Sequence, residues 1–255
     1  TVKKDKKIKN KQKGKTMNAM KTILMGVAAL ITATAMQSCS DDDDKYVVFP
    51  GYGPNALVTV KTEADKTVYL QLDDKTTLFP TNMKQSPFGD KEVRALVNCV
   101  ATGGNSAKYD KAVYVNWIDS ILTKPAIAWT EGMDVAQYGS DPVEIVKDWV
   151  TIAEDGYLTL RFRTVWAGGK AHWINLLTGV NKDNPYEVRL CHNAYGETTG
   201  RTADALVAFG LKNLPDTEGR TVKLTLKWNS FSGEKSAEFD YCTRKETNAG
   251  KLQAD

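Results

Sequence analysis

The sequence has few of the residues on which zinc enzymes and nucleophilic hydrolases depend. It contains two histidines, His172 and His192, and four cysteines among 255 residues. It has no H-E-x-x-H or paired C-x-x-C spacing for zinc, no G-x-S-x-G nucleophile elbow and no D-x-D-x-D-G calcium loop. A glycine-rich phosphate loop is also missing. The sequence therefore indicates no catalytic residue, no metal site and no cofactor.

Positive charge is also scarce once the amino-terminal segment is set aside. Nine of the 34 basic residues, but only one of the 31 acidic residues, lie in positions 1–39. The remaining residues include 25 basic and 30 acidic side chains, so their formal charge is −5, although the whole sequence stands at +3. Four of these acids form a single run, Asp41–Asp44. Because phosphate backbones are bound by clusters of lysine and arginine, we do not expect a nucleic-acid partner.

The first 38 residues have the layout of a secretory signal preceded by an extra segment. Residues 1–16 are lysine-rich and hold too few apolar side chains to fold. We interpret them as a spurious or disordered extension upstream of the true start at Met17 or Met20. Residues 17–38 combine a short basic start with 15 apolar residues, Thr22–Met36, which predicts a signal peptide. The apolar run is shorter than the roughly 20 residues that span a bilayer.

Cys39 directly follows the predicted signal peptide, in surroundings that resemble a bacterial lipobox. In a lipobox the cysteine becomes the new amino terminus and is acylated, for example with palmitate. Two or more acyl chains hold a protein stably on a membrane. We therefore predict lipidation at Cys39, the alternative being an ordinary signal peptide with an unrelated cysteine.

An acidic spacer completes the segment 39–45. Its residues are Ser40, Asp41, Asp42, Asp43, Asp44 and Lys45. An acidic run at this position resembles the surface-export signal of Bacteroidetes lipoproteins. It predicts a lipid-anchored protein of the outer membrane at the cell surface, with the periplasmic face of that membrane as the second choice. The alternatives are a self-repelling spacer that keeps the body off the membrane, or a protease tag, because D-D-D-D-K is also a tag sequence.

The rest of the chain is a succession of short β-type runs separated by turn residues. Residues 46–125 contain five such runs in about 80 residues, which predicts a small barrel. Residues 126–141 are interpreted as a linker. Residues 142–245 contain seven further runs and an Asp155-Gly156 hairpin turn, which predicts an antiparallel β-sandwich. Residues 246–255 form a polar tail that we expect to be disordered, so the predicted class is all-β.

Four segments of the chain are similar to the NigD-like lipoproteins of Bacteroidetes. They are Asn55–Thr62 (NALVTVKT), Gln71–Asn82 (QLDDKTTLFPTN), Phe88–Asn98 (FGDKEVRALVN) and Val115–Pro125 (VNWIDSILTKP). The resemblance covers residues 17–245 and is strongest in the first half. It implies a lipoprotein signal, an amino-terminal OB-like barrel and a carboxy-terminal β-sandwich. The family takes its name from a bacteriocin gene cluster, which implies an immunity role, and it supplies no catalytic residues.

Six tryptophans offer aromatic surface on which a sugar ring could stack. Trp228 follows the apolar phase of its predicted strand, whereas Trp173 lies off phase and Trp129 lies in the predicted linker. We therefore predict Trp129 and Trp173 as ligand-stacking aromatics. The alternative is that most of the six tryptophans are core residues.

The histidines and the remaining cysteines fall within predicted strands. His172 and His192 are in phase with apolar residues, which favours core positions over metal ligation. Cys191 and His192 are neighbours and point to opposite faces, so they cannot easily share a metal ion. Cys191 and Cys242 lie on the polar phase of their strands, and a disulfide between them is possible if those strands pair.

These features together predict a non-catalytic, lipid-anchored protein that acts as a binding or accessory module. The expected partners are the membrane, through the lipid anchor, and an unknown protein, peptide or glycan ligand. One alternative is a bacteriocin-immunity lipoprotein. A more remote alternative is an envelope hydrolase, whose turnover would depend on His172 or His192.

Overall fold

The computed structural model describes residues 53–103, 106 and 108–244 of the chain. Within these residues the chain consists of β-strands and one short 3₁₀ helix, Val135–Tyr138, which confirms the predicted all-β class. In this described part, no helix is long and apolar enough to cross a bilayer. The signal peptide, Cys39, the acidic run and the tail 246–255 lie outside the described residues, so what was predicted for them remains a prediction.

The amino-terminal domain is a closed five-stranded barrel with the strand order β1-β2-β3-β5-β4. Its strands are β1 (Ala56–Thr62), β2 (Val68–Gln71), β3 (Thr77–Pro80), β4 (Val93–Ala101) and β5 (Lys111–Ser120). Side chains alternate between the two faces of a strand, and the inward-facing ones are aliphatic. Val58, Val60, Leu70 and Val97 fill the interior. The predicted small barrel is therefore confirmed.

The second domain is a sandwich of two five-stranded sheets. Its strands are β6 (Leu122–Pro125), β7 (Ile127–Ala128), β8 (Glu144–Ile145), β9 (Ile152–Glu154), β10 (Tyr157–Trp166), β11 (Trp173–Thr178), β12 (Glu187–Asn193), β13 (Arg201–Gly210), β14 (Val222–Ser230) and β15 (Gly233–Tyr241). The middle sheet has the order β6-β13-β10-β8, with β9 also paired to β10. The outer sheet has the order β15-β14-β12-β11-β7. Residues such as Leu160, Leu176 and Leu224 form the core between them.

The predicted boundary at residue 125 and the predicted linker 126–141 need correction. The barrel strands end at Ser120, and β6 pairs in parallel with β13 of the middle sheet. β7, inside the predicted linker, pairs in parallel with β11 of the outer sheet. Pro125 suggested a break, but a proline is tolerated on an edge strand, which is the position of β6. The sandwich is therefore mixed, since β12 and β14 are also parallel.

The predicted Asp155-Gly156 turn is confirmed. It joins the antiparallel pair β9 and β10, and its two residues have φ angles of 49° and 73°. Positive φ at both central positions matches the right-handed twist of the flanking strands, which is why this dipeptide favours tight hairpins. The turn also places the Asp155 carboxylate next to the barrel.

The outer face of the barrel packs on the middle sheet, and we call this contact the junction. Leu57 of β1 forms a small apolar cluster with Tyr157 of β10 and Ala208 of β13. Arg94 of β4 is fully buried beside it. Its Nη1 donates to Thr59 Oγ1 at 3.0 Å, and its Nε donates to Thr159 Oγ1 at 3.3 Å. The two domains therefore share apolar and hydrogen-bonded contacts.

Ion pairs cross the junction as well. Arg94 Nη2 lies 3.5 Å from Glu154 Oε2, and Lys61 Nζ donates to Asp155 Oδ1 at 2.9 Å. Arg244, just after β15, donates to Glu92 Oε1 from both terminal nitrogens at 2.7 Å. Three barrel charges thus meet opposite charges of the sandwich. Pairing of this kind is what makes burial of charge tolerable.

Candidate functional site

The two predicted stacking tryptophans occupy different environments. Trp173, the first residue of β11, is 60% exposed. Trp129 is half-buried, and its indole N–H donates to the carbonyl oxygen of Met133 at 3.0 Å. The structure therefore does not bring the two rings together in one site, and Trp173 is the one that offers an open ring.

Trp173 is one of several exposed aromatic residues that lie at or near strand ends of the outer sheet. It pairs with Asn193, the last residue of β12. In the parallel pair of β12 and β14, Leu190 lies opposite Trp228. Beyond this pair the segment 141–143 bonds to both strands, the Asp141 N–H donating to the His192 carbonyl and the Val143 N–H to the Asn229 carbonyl, so the register does not carry Phe231, in the turn after β14, next to Asn193. Phe231 is 54% exposed.

Tyr195 lies in the same region, two residues after β12, and is 36% exposed. Its backbone has a φ of 54°, and Gly196 follows with a φ of 83°. The Tyr195 N–H donates to Asn193 Oδ1 at 2.9 Å, an asparagine-closed turn. We call the loops 167–172 and 194–200, together with Trp173, the tip of the sandwich.

The aromatic rings of the tip hold one another in defined orientations. Trp173 and Tyr195 meet edge to face, with centroids 6.1 Å apart and planes at 74°. The ammonium group of Lys170 lies 3.4 Å from the centroid of the Tyr195 ring. Such edge-to-face and cation–π contacts each contribute about 0.5–1.5 kcal/mol. The exposed indole of Trp173 is therefore oriented by the Tyr195 ring, which the Lys170 ammonium contacts in turn.

Two histidines lie directly beneath the tip. His192 is buried, in line with the inward-facing Leu190, and its ring tilts against Phe162 at 6.4 Å. His172 Nδ1 lies 3.0 Å from His192 Nε2. His172 Nε2 lies 3.1 Å from Glu197 Oε2. The pair therefore closes the end of the sandwich core and contacts the second loop of the tip.

The electrostatic surroundings differ along this row of groups. Burial, together with the nearby His172, lowers the pKa of His192, against an opposing contribution from Asp141. A hydrogen bond from the Ala167 N–H and a second from His172 lower the pKa of Glu197. Glu197 is therefore the ionised member and His192 the neutral one. Among the described residues, no group of three or more histidine, cysteine, aspartate or glutamate side chains is arranged to hold a metal ion.

The predicted disulfide is not formed, which corrects that prediction. Cys99, Cys191 and Cys242 are all free thiols. Cys191 lies on β12 and Cys242 follows β15, and β14 separates these two strands in the outer sheet. A cross-strand bridge needs directly paired strands. Cys191 is buried rather than on a wet face, because the 3₁₀ helix Val135–Tyr138 lies against β11 and β12.

Sequence reasoning missed several exposed aromatics and a cleft. Tyr195, Phe231 and Trp149, which is 52% exposed, carry no local signal of exposure in the sequence. Asn193 and Gly196 indicate a turn around Tyr195, but not the direction of its ring. A cleft of about 320 Å³ near the junction is lined in part by Tyr157 and Arg244. Those two side chains already bond to Glu92, so the tip is the better candidate for binding.

The fold defines a class of two-domain proteins in which an OB-type barrel precedes a β-sandwich. Residues 57–121 match the model of the NigD-like N-terminal OB domain, and residues 126–241 match the NigD-like C-terminal beta sandwich domain. The chain belongs to the NigD-like family, as its sequence resemblance predicted.

Solved structures agree with this assignment. A Parabacteroides distasonis protein named as toxin-related is 35% identical, with a TM-score of 0.62, over 74% of this chain and 92% of that chain. A Bacteroides caccae protein named as a NigD-like immunity protein has 19% identity and a TM-score of 0.52, over 73% and 96%. A Bacteroides fragilis protein named as a lipoprotein has 13% identity and a TM-score of 0.54, over 74% and 98%. The last two show the fold alone. Comparison with curated proteins gives no significant match.

Proposed function

We propose that this protein is a non-catalytic lipoprotein of the outer membrane, exposed at the cell surface, that binds a partner molecule through the tip. The observation that carries the binding role is the exposure of Trp173 on an ordered support. The Tyr195 ring contacts Trp173, and the Lys170 ammonium contacts the Tyr195 ring, so the Trp173 ring is oriented before a partner binds. A preorganised aromatic anchor loses little conformational entropy on binding.

The composition of the tip supports a binding surface. Its two loops contain four glycines and two threonines close to Trp173 and Tyr195. Small polar residues offer adaptable hydrogen bonds, while tryptophan and tyrosine supply contact area with few rotatable bonds. A protein, a peptide or a glycan can use such a surface.

The location is supported by the sequence around Cys39. The lipobox-like cysteine follows an apolar run of 15 residues and precedes four aspartates. Growth with an alkyne analogue of palmitate should label the wild-type protein and leave Cys39→Ser unlabelled. Equal labelling of both would refute lipidation at this residue.

Surface exposure requires a separate test. Protease added to intact cells should degrade the wild-type lipoprotein, whereas a variant with Asp41–Asp44 changed to alanine should be protected behind the outer membrane. Labelling with the palmitate analogue shows that both variants are anchored. Protection of the wild type would favour the periplasmic face.

Binding is tested with the lipoprotein purified in detergent and passed over envelope extract. Trp173→Ala should reduce recovery of a bound partner by about 30-fold, since removing an aromatic anchor costs about 2 kcal/mol. Trp149→Ala is the matched control, because Trp149 is similarly exposed and adjoins Val150, which packs in the apolar cluster of the junction. Equal recovery with both variants would exclude the tip as the binding surface.

Bacteriocin immunity is the second candidate function. It is favoured by the 35% identity to a protein named as toxin-related. Deletion of the gene should then sensitise the producing strain to its own bacteriocin. Unchanged killing curves would refute this role and leave the binding proposal intact.

A further inference from the structure

The hydrogen bonds beneath the tip determine how many protons its two imidazoles carry. A chain of three contacts runs from the carbonyl oxygen of Asp141 through His192 and His172 to the carboxylate of Glu197. Both ends of this chain are acceptors, because a carbonyl oxygen and an ionised carboxylate have no proton to donate. Three hydrogen bonds require three protons. Two neutral imidazoles have only two.

The positions of the three protons follow from the two ends of the chain. His192 Nδ1 donates to the Asp141 carbonyl at 3.3 Å, so Nε2 of a neutral His192 is an acceptor. His172 Nδ1 donates to that nitrogen at 3.0 Å, and His172 Nε2 donates to Glu197 at 3.1 Å. His172 is then an imidazolium paired with a carboxylate, and His192 is neutral. The lowered pKa of His192 and the lowered pKa of Glu197 agree with this assignment.

We propose that this chain is a proton-dependent clamp that fastens the two loops of the tip to each other. His172 ends the loop 167–172, and Glu197 lies in the loop 194–200. If His192 Nε2 takes one more proton from water, it becomes an N–H that faces the N–H of His172, and the hydrogen bond between the two rings is lost. One proton fewer, lost to water, would leave two N–H groups for three contacts, so one of the three hydrogen bonds would be lost. Either change breaks a hydrogen bond, so the clamp holds only within a limited pH interval.

The groups packed around the pair leave few other charges to influence it. On β10 the apolar ring of Phe162 faces His192. Its neighbours Arg161 and Arg163 point to the opposite face, where both pair with Asp204. On β11 the residue opposite His192 is the apolar Ile174. The charged groups on the side of the pair are Glu197, Asp141, whose carboxylate accepts from the Ala194 N–H at 2.6 Å, and Lys170 over the Tyr195 ring.

The clamp goes beyond the proposed binding function, because it would make the arrangement of the tip depend on pH. Trp173 directly follows His172 in the chain, and Tyr195 lies in the loop that carries Glu197. Opening the clamp leaves the bond from the Ala167 N–H to Glu197 and the pairing of Trp173 with Asn193 in place, so it loosens the support of the two rings without detaching the loops. The experiments below measure the protonation of the two histidines without any partner present. A failure of the clamp is therefore distinguishable from a failure of the binding function.

The first experiment measures the protons directly. The ¹⁵N chemical shifts of both imidazoles are recorded on the full ¹⁵N-labelled chain between pH 5 and 8, with His172→Gln used for assignment. At pH 6.5 we expect one ring protonated on both nitrogens and one neutral ring protonated on Nδ1. The Trp173 indole signal should shift in step with the titration of the pair. Two rings with a single proton each at pH 6.5, or an indole signal that does not follow the pair, would overturn the proposal.

The second experiment tests the pairing with the carboxylate. Glu197→Gln removes the carboxylate that accepts from His172 Nε2, so the doubly protonated ring seen in the wild type at pH 6.5 should be absent from the variant at that pH. Glu234→Gln is the matched control at the same end of the sandwich, where Glu234 pairs with Arg189 at 2.9 Å. The control should leave the titration unchanged. Identical titration of wild type and Glu197→Gln would refute the clamp, and the wild-type measurement stands even if this variant fails to fold.

Discussion

The buried arginine at the junction makes the sharpest prediction about stability. Arg94→Met keeps an unbranched side chain of similar length but removes the charge and both hydrogen bonds to Thr59 and Thr159. Glu154, which is almost fully buried, would lose the cation 3.5 Å away. Breaking a buried pair by removing one partner costs about 3–5 kcal/mol, because the remaining charge loses the interaction that offset its desolvation. We expect Arg94→Met to lower the free energy of unfolding by this amount.

The double variant Arg94→Met with Glu154→Leu distinguishes the cost of removing one partner of the pair from the net contribution of the pair to the free energy of unfolding. Replacing both partners with apolar residues also removes the buried carboxylate, so the double variant should be more stable than Arg94→Met alone. Urea unfolding followed by circular dichroism measures each difference. Arg220→Met, at an exposed pair with Glu218, is the control and should change stability by less than about 1 kcal/mol.

Two results would refute this reasoning. A loss below about 1 kcal/mol in Arg94→Met would show that the junction does not depend on this cation. A double variant as unstable as the sum of its two single changes would show that Arg94 and Glu154 are not energetically coupled.

Three further predictions concern an ion pair, a thiol and the aromatic residues. Hydrogen bonds from Arg163 lower the pKa of Asp204 below 3.8, so the stability they add is full above about pH 4 and is lost as the pH falls through the folded-state pKa. Asp204→Asn should therefore cost about 1–2 kcal/mol at pH 7, and calorimetry should show this difference shrinking below pH 4; a constant difference would contradict the assignment. Burial raises the pKa of Cys191 to about 11, so at pH 8 its alkylation should be at least 100-fold slower in the folded protein than in urea; equal rates would contradict its burial. Trp173→Ala should lower the free energy of unfolding by no more than about 1.5 kcal/mol, the contribution of its contact with Tyr195, whereas Trp228→Ala, in the sandwich core, should cost about 3–5 kcal/mol; a loss in Trp173→Ala as large as that in Trp228→Ala would mean that this ring is structural.

Local patterns in the sequence were sufficient for the class of fold. The alternation of Leu224, Leu226 and Trp228 with polar residues predicts a strand with one buried face, and all three are buried in the sandwich core. The Asp155-Gly156 pair predicts a tight hairpin because both residues tolerate positive φ. These patterns extend over two to ten residues, so they can be recognised without knowing how the rest of the chain folds.

Local patterns failed where a residue's environment depends on a distant strand. Leu122–Pro125 looked like the end of the barrel, yet it pairs with β13, more than 80 residues further along the chain. Cys191 and Cys242 were predicted to be bridge partners because each lies on a polar phase, but the order of strands puts β14 between them. Sheet order is decided by pairing between distant strands, and the alternation of polar and apolar residues within a strand does not identify its partner.

The candidate site shows the same division. The sequence by itself singled out Trp173 as off phase and placed both histidines in line with apolar residues. Only the tertiary structure brought His172 and His192 into contact, set Glu197 beside them and placed the Tyr195 ring against Trp173. The physical reason is that a strand's register with its neighbours is a property of the whole sheet, whereas the apolar phase of a strand is a property of its own residues.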